Sequence, residues 1–299
     1  MKTTITLILA ASLAMFASPA GAQDRSRVDT TVAIGEGGTL SVSIYSGRVS
    51  VTAGTGPNVR VQGLAPDVNL SVRSRNNGVR IQLDHGAHND PVELDITVPP
   101  GTRVVLEGFA AAFSIRGVKG EASVETLSGP ITVVDAVGNV VLESVSGNIE
   151  AEGIRGDVGA ESVSGRVTVR NVEGDVTAES VSGRVTIAGA SSRRVSAETV
   201  SGSLSYDGTI EAAGNYSFTT HSGSITLAVP TNAGATVSLE TFSGSVDSDF
   251  PVTLESGANR RAGESQFEFR IGDGRSRIVL ETFNGSIRIQ RGSSRANRE

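Results

Sequence analysis

The chain has 299 residues with 36 glycines, no cysteine, no tryptophan and a formal net charge of −6 at pH 7. The acidic balance argues against a nucleic-acid partner, which needs a basic footprint. Without cysteine there is neither a disulfide nor a thiol-linked lipid anchor, and at 4% aromatic the chain is poorly supplied for a sugar-stacking groove.

Residues 1–22 read as a secretory leader. Met1-Lys2 precedes an apolar run from Ile5 to Phe16, and Ala20-Gly21-Ala22 supplies a small-x-small cleavage site before the polar Gln23-Asp24-Arg25. The run is too short to span a bilayer. Cleavage after Ala22 removes Lys2 and no acid, leaving 277 residues and a formal charge of −7. No later stretch suggests a membrane span, and no series of alternating strands with aromatic girdles suggests an outer-membrane barrel. The expected product is exported, to the periplasm, the cell surface or the medium.

Residues 23–110 form a β-rich opening region or cap. Strands are predicted at Thr39 to Ile44, Arg48 to Val51, Val59 to Val61, Val68 to Val72, Val79 to Leu83 and Val92 to Val98, with Gly, Asn and Pro clusters between them. Tyr45-Ser46-Gly47-Arg48-Val49-Ser50-Val51 already resembles the later repeat unit. Asp84-His85-Gly86-Ala87-His88-Asn89-Asp90 gathers two imidazoles and two carboxylates, but in a Gly/Asn/Pro loop with no further ligand set, so a solvated loop is expected and no metal site.

From residue 111 to 290 the chain repeats. Glycine recurs every nine residues from Gly120 to Gly183, and the second, fourth and seventh places after each glycine are apolar throughout. Apolar places two apart alternate with polar ones, which is strand periodicity with one side facing a core. A lone strand this short is unstable in water, whereas stacked copies pair their backbones and bury a continuous column. The prediction is an all-β, single-chain β-solenoid.

The nonapeptides alternate, so the coil has eighteen residues and two unlike corners. One kind ends in Glu-(Ser/Thr)-apolar-Ser-Gly; the other carries Asp135, Gly153, Asn171 or Gly189 at its sixth place, residues that tolerate φ > 0. The seventh-place residues, Val163 and Val181 among them, are expected to face inward. Beyond Gly183 the Ser-Gly marks spread to Gly202, Gly223 and Gly244, and Asn284-Gly285 follows 41 residues later. This predicts coils widening from 18 to about 21 residues, with Phe242 and Phe283 filling the wider interior. About eight coils rising roughly 4.8 Å each make a rod on the order of 40 Å long. Ser256 to Ser265 and Gly272 to Arg275 read as loops, Ser286 to Gln290 as the last strand, and residues 291–299 as a disordered tail.

Glu125, Glu143, Glu161 and Glu179 occupy one coil position, and Glu198, Glu240 and Glu281 continue it. Carboxylates about 5 Å apart repel by roughly 1 kcal/mol per neighbour even in water. The column is therefore either a binding face, for cations or a basic partner, or a soluble surface that resists aggregation; Arg166 and Arg184 stand where they could partly neutralise it. The serines Ser128, Ser146, Ser164, Ser182, Ser201, Ser222 and Ser243 are expected to hydrogen-bond their corners. Only His221 is near them in sequence, and no Gly-x-Ser-x-Gly elbow occurs, so no catalytic residues are assigned. Calcium-binding β-roll nonapeptides share the period but need Gly-Gly-x-Gly-x-Asp, which is absent.

With Glu161-Ser162-Val163-Ser164-Gly165-Arg166-Val167-Thr168-Val169, its copy at Glu179 to Ile187, and a closing coil spelled Ile278 to Ile289, the chain resembles the bacterial "putative-adhesin", or toastrack, β-solenoid family over about residues 32 to 290. The resemblance implies a fold, with adhesion proposed for the family from its architecture and envelope-stress roles for some members, and brings no catalytic residues. The leading expectation is a non-enzymatic, cofactor-free solenoid that meets an envelope protein or surface polymer. Two rivals stand beside it: a polysaccharide-active right-handed β-helix enzyme, which needs converging carboxylates in an aromatic groove, and a structural element that assembles through its ends.

Overall fold

In a computed structural model, residues 27–65, 70–75, 77–83, 91–251 and 265–292 are described. Residues 1–26, 66–69, 76, 84–90, 252–264 and 293–299 lie outside them, among them the stretches read from the sequence as a leader, as the Asp84 to Asp90 loop and as most of the Ser256 to Ser265 loop. No helix occurs among the described residues. The opening region holds β1 (Arg27–Ala33), β2 (Thr39–Ala53), β3 (Asn58–Leu64), β4 (Leu70–Arg75), β5 (Gly78–Leu83), β6 (Val92–Val98) and β7 (Arg103–Arg116). Regular coils follow: β8 (Ala122–Thr126) with β9 (Ile131–Val134), β10 (Val140–Ser144) with β11 (Ile149–Glu152), β12 (Val158–Ser162) with β13 (Val167–Arg170), and β14 (Val176–Ser180) with β15 (Val185–Ala188). The closing coils are β16 (Arg194–Thr199) with β17 (Leu204–Asp207), β18 (Asn215–Ser222) with β19 (Ile225–Pro230), β20 (Ala235–Ser243) with β21 (Val246–Ser248), then β22 (Ser265–Ile271), and β23 (Ser276–Asn284) with β24 (Ile287–Gly292).

The first strands of successive coils pair in parallel, and so do the second strands, in the regular coils each residue beside its equivalent eighteen positions away: Val140 beside Val158, Ile149 beside Val167. Parallel pairing in this register piles the second and fourth places of every nonapeptide into one interior. Val140, Leu142, Ala151, Val167, Val169 and Val185 have no exposed surface. One corner turns on left-handed residues, Asp135 (φ 56°), Gly153 (φ 69°), Asn171 (φ 52°) and Gly189 (φ 65°), as the turn chemistry predicts.

That left-handed residue also corrects the expectation for the seventh place. Val133 points in, Asp135 turns the chain, and Ala136 is buried, as are Ile154, Val172 and Ala190 at the same corner. At the Ser-Gly corner nothing interrupts the pleat. Val124 points in, Glu125 out, Thr126 in and Leu127 out, because successive side chains of an unbroken strand alternate faces. Leu127, Val145, Val163 and Val181 are therefore 40 to 45% exposed, and a charge at Val163 or Val181 would sit outside the coil.

Phe242 and Phe283 are likewise outside, about half exposed. The wider closing coils are filled instead by Tyr206, Tyr216 and Phe218, which are fully buried and pack edge to face with ring centroids 5.2 to 5.9 Å apart. Their polar tips are satisfied: the Tyr206 hydroxyl donates to the Thr209 carbonyl and the Tyr216 hydroxyl to the Ser192 carbonyl, both at 2.7 Å. Burial pushes both phenols above their ordinary pKa.

The coils are not stacked in chain order at either end. β2 is one strand where two were expected, and it lies between β7 on one side and β5 with β6 on the other. At the far end β23 lies between β18 and β20, and β24 between β19 and β21. The 41-residue gap before Gly285 is thus the length needed to form an outer coil first and return beneath it. With β5/β6, β2 and β7 counted, the rod is longer than the eight repeats suggest. Antiparallel strands close it: β4 on β5, β3 on β6 with β1 beyond, and β22 on β20. Arg60 on β3 grips Asp29 on β1 through two bonds of 3.1 and 3.2 Å, and this hydrogen bonding holds the Asp29 carboxyl below its usual pKa.

Two outcomes check this architecture. Leu142→Ala should cost about 2–5 kcal/mol by opening a cavity, whereas Val163→Ser should change stability by about 0.5 kcal/mol or less; urea titration of both variants measures the contrast. Removing residues 276–292 takes out an internal rung, so amide-exchange protection should fall in both β18 and β20, on either side of the gap.

Candidate binding face

The Ser-Gly corner is built for close stacking. A Cβ on Gly147 would meet the Gly129 carbonyl oxygen at 1.7 Å, so only glycine lets one corner lie on the next. The hydroxyls that tie the corner are not the expected ones. Ser144 accepts from the Gly147 amide at 2.8 Å, and Ser162 accepts from Gly165 at 2.9 Å while donating to the Gly147 carbonyl at 3.2 Å. Ser180 and Thr199 repeat the pattern. Ser128, Ser146, Ser164, Ser182, Ser201, Ser222 and Ser243 are exposed beside the corner instead. The expectation failed because the inward hydroxyl, four residues after the apolar pair begins, is the one within reach of the next coil's backbone.

Two outward rows flank this buried hydroxyl column. The first is the carboxylate row. Registers place Glu107, Glu125, Glu143, Glu161, Glu179 and Glu198 side by side; after Thr219 it resumes at Glu281 and Glu240. All seven predicted glutamates are thus brought together. Glu107 was missed because its coil spells Glu-Gly-Phe in place of Glu-Ser-Val-Ser-Gly. Burial and the charges of Glu161 and Glu198 raise the Glu179 pKa above its ordinary value. Some carboxylates elsewhere on the rod are paired, Arg103 with Glu121, Arg155 with Glu173 at 3.5 Å and Arg194 with Asp175 at 2.9 Å. Among the described residues, none of the row's glutamates has an ion-pair partner. Arg166 and Arg184 do not supply one: they lie past the corner, where the Arg184 guanidinium donates to Ser203.

The second row stands two residues further along and was not foreseen. It runs Tyr45, Phe109, Leu127, Val145, Val163, Val181, Val200, His221, Phe283, Phe242 in spatial order, following the pairing of β2 with β7 and of the later coils. Its nine apolar members are 40 to 50% exposed. Rings stack at both ends, Tyr45 on Phe109 at 4.9 Å, His221 on Phe283 at 5.0 Å and Phe242 on Phe283 at 4.8 Å, all within a few degrees of parallel. The signal was present in the sequence as the apolar residue before the Ser-Gly of each regular coil, Leu127, Val145, Val163 and Val181; counting pleat parity through the corner would have found it.

Between the rows runs a groove of about 610 Å³ with Thr126, Ser144, Ser162 and Ser180 along it, continued by one of about 400 Å³ past Thr199 and Thr220. Among the described residues, no group of three or more His, Asp or Glu side chains is placed to hold a metal ion, and no helix is long and apolar enough to cross a membrane.

This molecule is a parallel β-solenoid carrying one long two-rowed flank. A family model described as Toastrack DUF4097 matches residues 38–290, and the chain belongs to that family. Among solved structures it is similar to a crystal structure described as a "putative cell adhesion protein" from Clostridium sporogenes ATCC 15579, at 10% identity over 89% of this chain and 99% of that one, with a TM-score of 0.25. At that score nothing about this chain follows from the neighbour's name. No curated protein matches.

The carboxylate row makes a pH prediction. The Glu179 pKa is raised in the folded state, so above its unfolded value near 4.5 the folded protein binds the proton more tightly than the unfolded chain. Stability should therefore rise as the pH is lowered from neutrality towards about 5. Asp29 is ionised in both states throughout that window and does not oppose the trend. Urea midpoints measured across it should show a smaller slope for Glu179→Gln than for the natural chain.

Proposed function

We propose that this chain is a non-enzymatic, exported β-solenoid whose two-rowed flank binds a component of the bacterial cell envelope, an envelope protein or a surface polymer. The observation that carries the reading is the juxtaposition on one face of an unpaired carboxylate row and an exposed apolar row. Apolar residues scattered singly over a surface need no explanation, but a continuous exposed strip is the usual mark of an interaction site. The rod's ends support the flank as the working surface, since antiparallel strands cover the outward edges of β5, β6 and β20, which would otherwise be open to further chains. The leader-like residues 1–22 support export. No cofactor is assigned.

The test uses the chain without its leader beside the variant Val145→Ser/Val163→Ser/Val181→Ser, both screened on a glycan array and in pull-downs from an envelope fraction. A ligand held by the natural chain and released by the folded variant is the expected result. A ligand held equally by both would place binding elsewhere, and release of shortened products from an envelope polysaccharide would make the chain an enzyme.

A further inference from the structure

Resting on that reading of the flank, we propose that its partner is a cationic polypeptide segment in the polyproline II conformation, laid along the rod axis with apolar residues on the valine row and Lys or Arg on the glutamate row. Charge decides the sign of the partner. The flank offers consecutive carboxylates without a cation of their own, so a second copy of the chain, or an anionic surface, would meet like charge over the whole length of the groove. A neutral apolar partner would bury those carboxylates unpaired.

Spacing decides the conformation. The stacked rings fix the rung separation at 4.8 to 5.0 Å. Residues facing one way in an extended strand recur every 6.6–6.8 Å or so, which falls out of step with the rungs at the second contact. Polyproline II has three residues per turn and rises about 9.3 Å per turn, against roughly 9.6 Å for two rungs. Every third residue therefore returns to the same place on alternate rungs. The triangular cross-section suits the two rows as well: one edge lies on Val145, Val163 and Val181, the next faces Glu143, Glu161 and Glu179, and the third is left to solvent. Such a segment is stiff before it binds and loses little entropy on docking.

A fluorescently labelled peptide of about five Leu-Lys-Pro triplets, about 46 Å long in this conformation, is the probe, read by anisotropy at neutral pH. It should bind the natural chain, and its affinity should drop at least about tenfold for Glu143→Gln/Glu161→Gln/Glu179→Gln and, separately, for Val145→Ser/Val163→Ser/Val181→Ser, each variant first shown to unfold at the natural chain's urea midpoint or above. Salt should weaken binding to the natural chain and have little effect on what remains in the glutamine variant. Peptides of Ser-Lys-Pro or Leu-Glu-Pro triplets should bind at least about tenfold more weakly. Equal or tighter binding of a helical leucine–lysine peptide, indifference to either set of substitutions, or no binding of the probe overturns the proposal. A flank-dependent ligand from the glycan and pull-down screen would still leave the binding face standing in that case, so the two failures are told apart.

Discussion

In-register parallel pairing is the constraint on which everything else here depends. Because each residue lies about 4.8 Å from its equivalent in the next coil, the chemistry of one position is repeated down the rod. Val140 beside Val158 becomes a dry interior, Gly147 against Gly129 a corner that admits no side chain, and Glu143 beside Glu161 a line of like charge. A residue that suits one coil but not a stack of them cannot be hidden, because its neighbours share the fault. The interior valines gain from the multiplication and the glutamates lose by it.

The flank is where that loss is concentrated. Repulsion between adjacent carboxylates is modest in water, roughly 1 kcal/mol per neighbour, and a valine left 40 to 45% exposed forfeits less than half of the roughly 1.5 kcal/mol or more that full burial gives. Neither breaks a fold whose core columns run the whole length of the rod. Together they leave a surface with two unmet demands, for counter-charge and for an apolar cover, and a single amphipathic ligand can meet both. The stacked rings that terminate the apolar row, Tyr45 with Phe109 and His221 with Phe283 and Phe242, shield each other and mark its two ends.

The same pairing creates a hazard at the rod's ends, which would template further strands. The chain answers by intercalation. β2 is gripped by coils on both sides, and β23 with β24 returns under the outer β20 and β21. The chain's first and last full coils are thus interior rungs, and the outermost positions go to antiparallel strands such as β4 and β22. Closing the far end requires β23 to slot between partners already in place. This non-local pairing is expected to be among the later steps of folding.

Much of this was legible in the sequence because periodicity is a local property. The nine-residue glycine spacing, the apolar second and fourth places and the φ-tolerant residues at Asp135 and Asn171 determined the solenoid, its coil length and its glutamate row without any tertiary information. Pleat parity was within reach too, since Val163 had only to be counted two residues beyond the outward Glu161. Coil order was not. Whether Phe283 follows Phe242 or lies beneath it depends on which edge is free when the chain returns, a competition between distant strands that no local pattern encodes. The tertiary structure alone therefore decided that the ring-bearing coils are spliced out of sequence. At the opening end the splice sets Tyr45 directly on Phe109, and at the closing end it places Phe283 between His221 and Phe242.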